Sequence, residues 1–453
     1  MNNRKELLEL SMGSLFMKLA IPSVLGMLAV GLYNLIDAIF VGQLVSAEGV
    51  GAIVIAYNIT LLNMAITMLF AMGSMSVLSR AIGQKDQETI DKLFGNVLIS
   101  VSILSGILTL IVYKFATPML AFIGADGEIL NLATKYLKTI SLGFVFSGLG
   151  PALNFLIRGE GQMKSAMRIM VVGMIVNIIL DPIFIKGFGM GIEGAAVATI
   201  VAQLCVLCGD FIYFRSDKSI IKISRKHIKL SFDIMPQILN VGLSGLAMQI
   251  MPAIQMSIMF KVLDHYGGSN SVILMSASYR VMIFAFISLW GISQGMQPIV
   301  GANYGAGQLK RVKEAVTTFA KISLIVATIM WASFMIFPET ILGWFITEEA
   351  LVEIGIYKFR LFFSIFALYA LIPLTIIFFQ GIGKGGKAFL LVFGRQVFFF
   401  IPLIFILPLF LGELGAWIAM PLGDLLTLIM SLVFLKKEVV EMRKHPESIC
   451  ITA

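Results

Sequence analysis

Long apolar runs separated by short polar segments dominate the chain from residue 14 to residue 435. About 20 apolar residues cross the hydrocarbon core of a bilayer as one helix. The pattern predicts twelve spans, at 14–40, 51–78, 92–115, 128–157, 163–185, 190–214, 232–262, 272–300, 312–336, 349–380, 387–410 and 414–435. Several exceed the minimum, so they must tilt, bend or project from the bilayer. The expected fold class is an all-α polytopic membrane protein. The polar run Arg215–Lys229 divides the spans six and six. We therefore expect an N-lobe over 1–215, a linker over 216–231 and a C-lobe over 232–453.

The two halves repeat one another. An offset of 222 residues carries Ser79-Arg80-Ala81-Ile82-Gly83-Gln84 onto Gly301-Ala302-Asn303-Tyr304-Gly305-Ala306. Both segments read as polar-flanked turns. The same offset carries Arg158-Gly159-Glu160-Gly161 onto Gln380-Gly381-Ile382-Gly383, and Gly73 onto Gly295. An offset of 221 carries Gly194-Ala195 onto Gly415-Ala416. A duplicated membrane domain points to a transporter that rocks one half against the other around a central site.

Composition agrees with the pattern. The chain of 453 residues is 58% hydrophobic and 13% charged, far from the roughly 25% charged residues of soluble domains. Of its 34 basic residues, twenty-four fall at the N-terminus or in the alternate loops that share its side. The positive-inside rule then puts both termini in the cytoplasm. Each half has six spans, so both insert with the same orientation about an axis along the membrane normal. The net charge of +8 is spread over separate loops, which argues against nucleic-acid binding. The linker reads as a solvated loop beside anionic lipid. The N-terminus is polar and the first span too long for a cleavable signal, so that span is expected to be retained. Cys205, Cys208 and Cys450 give no disulfide framework, and Cys205 and Cys208 read as apolar packing residues.

Ionisable groups are costly in a bilayer interior and mark functional sites. Three carboxylates sit well inside the spans: Asp37, Asp181 and Asp424. Asp210 is near the cytoplasmic end of its helix, from where it can snorkel. Asn177 and Asp181 are four residues apart, on one helical face. Thr199 on the next span reaches a similar depth. Pro182 removes a backbone donor and frees a carbonyl there. Two carboxylates, an amide and a hydroxyl form a hard-oxygen set suited to H⁺ or Na⁺. In the second half, Asp37, Asn177 and Asp181 map to Met259, Phe399 and Leu403, so the helices do not need these groups to fold. Arg395 and Asp424 lie at depths that let them pair, at about 1.5 Å of rise per residue. Arg280 could pair, line a cavity or reach outward.

Twenty-seven Met and 35 Phe include candidates for a cavity that accepts varied organic cations. The residues singled out are Tyr33, Asn34, Met75, Gln255, Met256, Arg280 and Met282. Met248, Met251 and Met296 are further candidates. Gln249, Gln294 and Gln297 read as interhelical glue. His227, His265 and His445 lie in or near loops with no metal-ligand spacing, and no nucleophile–histidine arrangement is visible, which disfavours an enzyme.

The chain resembles the multidrug and toxic-compound extrusion (MATE) family over essentially its whole length. The resemblance rests on twice six spans, on Ala20-Ile21-Pro22 and Asp37-Ala38-Ile39-Phe40-Val41-Gly42, and on the paired Gly83 and Gly305 segments. It rests also on Asn177-Ile178-Ile179-Leu180-Asp181-Pro182 and Gly194-Ala195-Ala196-Val197-Ala198-Thr199. Within the family it looks like the bacterial branch that keeps an aspartate pair in the N-lobe. Another branch carries an acid on span 7, where this chain has none before Asp264. The resemblance implies two six-helix lobes and export of amphipathic, mostly cationic xenobiotics in exchange for H⁺ or Na⁺. It implies cation coupling at Asp37, Asn177, Asp181 and Thr199, which would also be the ligands of Na⁺. It implies residence in the bacterial cytoplasmic membrane, with membrane lipid around it, no cofactor and no obligate protein partner. The competing reading is a flippase for a lipid-linked saccharide, which is expected to line its cavity with several Arg or Lys; only Arg280 and Arg395 are candidates for that role.

Overall fold

The computed structural model describes residues 2–224 and 226–444, except for the side chains of Asn2, Val30, Tyr33, Asn34, Leu35, Asp37, Ala38, Ala47 and Arg443. Cys450 and His445 fall outside the described residues, as do the side chains of Tyr33, Asn34 and Asp37. The described residues are helical almost throughout, with no strand among them. The first half comprises α1 (Asn2–Glu9), α2 (Met12–Leu44), α3 (Ala47–Gln84), α4 (Gln87–Ile123), α5 (Gly127–Ser141), α6 (Phe144–Gly159), α7 (Met163–Pro182) and α8 (Ile192–Phe214). The second half comprises α9 (Met235–Gly305), α10 (Leu309–Ile336), α11 (Pro338–Gly343), α12 (Glu349–Phe362), α13 (Phe366–Tyr369), α14 (Leu371–Gly381), α15 (Gly385–Gly394), α16 (Ile401–Leu411) and α17 (Glu413–Lys444).

The twelve expected spans map onto these helices with three changes. Spans 4 and 10 are each broken: α5 and α6 meet at 55°, and α12 meets the α13–α14 segment at 43°. Spans 7 and 8 run together as α9, interrupted at Gly268, whose φ of 67° and ψ of −172° suit only glycine. Helix starts follow ordinary capping: Ser11, Ser46 and Asp86 accept from the backbone N–H three residues on. Two helices widen into π-turns, at Ile183–Gly187 and Arg395–Phe400. The first directly follows Pro182 and the second just precedes Pro402, which cannot complete the regular ladder.

Gly83 and Gly305 are not in turns, as the sequence suggests, but in the last turns of α3 and α9. They are small because two helices meet there. A Cβ on Gly83 would collide with the carbonyl oxygen of Ala302, and one on Gly305 with that of Arg80. Gly73 meets the backbone of Ile238, and Gly295 the backbone of Ala20, where a Cβ would lie 2.8 Å from its Cα. Gly301 sits on Ser79, its own repeat mate. These contacts form one seam between the halves. α1 ties it off: Arg4 donates to the carbonyls of Ile82 (2.9 Å) and Gly83 (3.0 Å) in the first half. Asn303 in the second half donates to Leu7 O (3.0 Å), and Arg311 to Leu10 O (2.7 Å).

The linker is not a free solvated loop. Glu160 accepts from Tyr213 Oη (2.5 Å), Ser219 Oγ (2.8 Å) and the amides of Ile220 and Ile221 (both 3.0 Å). Asp91 accepts from Lys222 N (2.9 Å), and Asn96 from Ser231 N (3.0 Å). Gly95 leaves room for the carbonyl of His227. Buried backbone amides need partners, and the first half supplies them. The linker is thus a strap pinned to the first half, at the same end of the bundle as the glycine seam.

Candidate functional site

Asn177 and Asp181 lie one turn apart on α7, and both side chains are fully buried. Asn177 Nδ2 donates to Asp181 Oδ1 at 3.3 Å. Asn177 Oδ1 has no hydrogen-bond partner among the described residues. The π-turn after Pro182 begins directly below the pair. Thr199, on α8, lies in the wall of a large cavity. Asp37 belongs to α2, and its side chain is outside the described set. α2 and α8 both pack on α7.

The cavity measures about 790 Å³, within the range of pockets that take drug-sized ligands. Both halves line it. Along α3 its wall runs from Ile53 to Met72, and the glycine seam starts at the next residue, Gly73. The cavity is therefore closed at the strap end of the bundle. Eight methionines and seven aromatic residues line it, among them Met68, Met251, Tyr57, Phe286, Trp290 and Tyr369. Thioethers and rings give a soft, adaptable surface with faces that attract cations.

Repeat-related positions face one another across this space but differ in chemistry. Met170, Gly173 and Met174 on α7 correspond to Val392, Arg395 and Gln396, at the same offset of 222 residues. Met64 and Met68 correspond to Phe286 and Trp290. At these five positions methionine or glycine in the first half meets valine, a ring, a guanidinium or an amide in the second, while aromatic and polar residues line the space from both halves.

Two guanidiniums reach the wall, Arg158 from α6 and Arg395 from the second π-turn. Arg395 Nε donates to Asp424, and its guanidinium lies 5.4 Å from the Tyr369 ring centroid. The pairing expected for Arg395 and Asp424 is present. Arg158 is 4% exposed, donates from Nε to Asn154 Oδ1 (3.1 Å), and lies 4.9 Å from the Phe155 ring centroid. Asp210 does not snorkel. It is fully buried and accepts from Asn154 Nδ2 at 3.3 Å, because α8 runs inside the first half at this level.

Of the cavity residues expected from sequence, Met248 and Met251 line the space. Met75 and Met296 are instead buried, Met75 beneath Gly159. Gln255 and Met256 are buried behind the wall, Gln255 accepting from Gln396 at 2.8 Å. Met282 packs near Asp424 in a separate small void, and Arg280 is exposed and does not line the cavity. Gln249, read as glue, lines the cavity. Arg158, Phe286, Trp290 and Tyr369 were not legible as cavity residues. Arg158 reads as a loop cation, although the repeat does pair Met64 and Met68 with Phe286 and Trp290. No group of metal-ligating residues occurs among the described residues.

A family model described as MatE matches twice, over residues 22–183 and 244–406, once in each half. The chain belongs to the MatE family. Membership makes it a membrane transporter and not an enzyme. The multidrug export protein MepA of Staphylococcus aureus is 27% identical over 402 residues, 88% of each chain. A crystal structure of MATE in the bent conformation superposes with a TM-score of 0.92 at 26% identity, covering 98% of this chain and 99% of that one. The outward-facing conformation of a multidrug resistance MATE family transporter of the MOP superfamily superposes with a TM-score of 0.90 at 26% identity, covering 97% and 98%. The expected twelve-helix fold of the family is the one found.

Proposed function

We propose that this MatE protein is a multidrug efflux antiporter, exporting amphipathic, mostly cationic organic compounds in exchange for H⁺ or Na⁺. The observation that carries the reading is the cavity between the halves, soft and aromatic on its walls and sealed by the glycine seam at one end. Residues 1–215 and 232–453 are the two moving lobes, and 216–231 is the strap. In this reading the strap end faces the cytoplasm, as the basic loops argue, and the protein sits in the bacterial cytoplasmic membrane. The conformation is then an outward-facing one, which fits its likeness to the outward-facing relative.

Asp37, Asn177, Asp181 and Thr199 form the cation-coupling set, on H⁺ or on Na⁺. The buried Asn177–Asp181 pair beside the cavity wall supports this role. Cation and drug need only favour different conformations for loading of one to expel the other. The flippase alternative gains little: of the two guanidiniums at the wall, one is already paired with Asp424.

The test has two parts. Cells lacking their own pumps should accumulate less of a fluorescent organic cation when they express the chain. In purified protein, added Na⁺ or lower pH should release the bound cation. Release that persists in the Asp37→Asn/Asp181→Asn double variant would move the coupling site elsewhere.

A further inference from the structure

Arg158 is a permanent cation buried at the cavity floor with donors to spare. Its Nε is taken by Asn154, but Nη1 has no partner among the described residues. Asp210, the neighbouring carboxylate, makes no ion pair with it, and Asn154 stands between them, bonded to both. Arg395, the other guanidinium of the wall, is engaged by Asp424. Among the described residues lining the cavity there is no carboxylate. Asn154, the Phe155 ring and the through-space charge of Asp210 offset the burial of Arg158 in part, without an ion-pair contact, and the guanidinium fork matches planar anionic oxygens.

We propose that Arg158 forms an anion subsite at the cavity floor that takes the carboxylate of a small amphipath. Among organic cations it then favours zwitterions, whose rings sit against the methionine and aromatic wall while their carboxylate reaches Arg158. A volume of about 790 Å³ suits a drug-sized molecule. This rests on the cavity being the substrate site, as proposed above, and adds a chemical preference to it.

A matched pair of probes separates the two claims: a rhodamine with a free ring carboxylate, and its methyl ester on the same xanthylium cation. Binding to the purified full-length protein is read by fluorescence polarisation. In the wild type the acid should bind about tenfold tighter than the ester, as a charge-assisted hydrogen bond supplies. Arg158→Gln should abolish that advantage and let the cationic ester bind at least as tightly as to the wild type, which also reports an intact cavity. Should Arg158→Gln fail to fold, Arg158→Lys keeps the charge and loses the fork, so the advantage should shrink. An acid that binds no better than the ester, or an advantage unchanged in either variant, overturns the subsite while ester binding leaves the transport reading standing. Binding of neither dye overturns both. Displacement of the acid by short-chain phosphatidic acid but not by an aryl carboxylate would assign Arg158 to a lipid phosphate and overturn the proposal.

Discussion

Gly83 lies so close to Ala302 that a single Cβ on it would run into the Ala302 carbonyl oxygen. The repeat reproduces the relationship in reverse, since Gly305 meets the carbonyl of Arg80 at the same offset of 222 residues. Gly83, Arg80, Ala302 and Gly305 therefore surround the pseudo-symmetry axis where the halves close the strap end.

Gly83→Ala and Gly305→Ala should each force this end apart and by similar amounts. Neither backbone contact can yield locally, because α1 holds both halves there through Arg4 and Arg311. The expected outcome is a population shift of about tenfold or more toward a state with the strap end open. Spin-label distances across the seam should lengthen, and efflux should fall while the protein remains in the membrane. Unchanged distances in both variants would mean the seam is not a closing contact.

Asp181→Asn should abolish efflux with expression intact, and Asn177→Ala should weaken it. Asp181 sits in the first half at a place where the second half has Leu403, so the helix does not depend on its charge. Its neighbour Asn177 holds one carboxylate oxygen at 3.3 Å and should orient it for the cation. An accumulation assay with membrane-level controls checks this. Loss of the protein in place of loss of transport would assign the pair to structure.

The spans and the Asn177–Asp181 face were legible because each depends on local spacing along one helix, and the repeat because matched residues recur at one fixed offset. What was not legible depends on how two helices meet. Gly83 reads as a turn glycine when its smallness serves a helix crossing. Arg158 reads as a loop cation because its depth follows from the packing of α6 against α8. Met75 and Met256 carry the right chemistry but face the core, and nothing in one helix's pattern separates a core face from a cavity face. Glu160 falls between the spans at 128–157 and 163–185, where nothing in the sequence marks it as the anchor of the strap.

That anchor should respond to pH. Glu160 lies outside the spanning segments. Burial pushes its carboxyl up from 4.5 to about 7, against the opposing effect of its bonds to Tyr213, Ile221, Ser219 and Ile220. Released from the strap and wet, it would titrate near roughly 4.3. The docked state therefore holds the proton more tightly between these values. Docking is firmest below about pH 4.5 and weakens as pH rises through about 7, by a total of about 3 kcal/mol. Hydrogen exchange at Ile220 and Ile221, corrected for intrinsic rates, should lose protection by up to about two orders of magnitude from pH 5 to pH 8. Glu160→Gln should be flat over that range. A wild-type profile as flat as the variant's would exclude Glu160 as the titrating group.

The Arg395–Asp424 pair admits a test of what holds it. Both groups lie inside the second half, with Asp424 buried and Arg395 reaching the cavity beside the Tyr369 ring. Removing one partner leaves the other charge stranded, which typically costs about 3–5 kcal/mol, whereas removing both often costs little. Asp424→Asn should therefore lower the melting temperature of the purified protein markedly. The double variant Arg395→Gln/Asp424→Asn should recover most of the loss. Ligand binding should follow a separate pattern. Asp424→Asn frees a guanidinium at the wall, so an organic cation should bind more weakly, and the double variant should restore its affinity. If Asp424→Asn leaves melting unchanged and instead abolishes cation-driven drug release, the carboxylate is not there to neutralise Arg395, and it becomes a second coupling group in the half that lacks the Asn177–Asp181 pair.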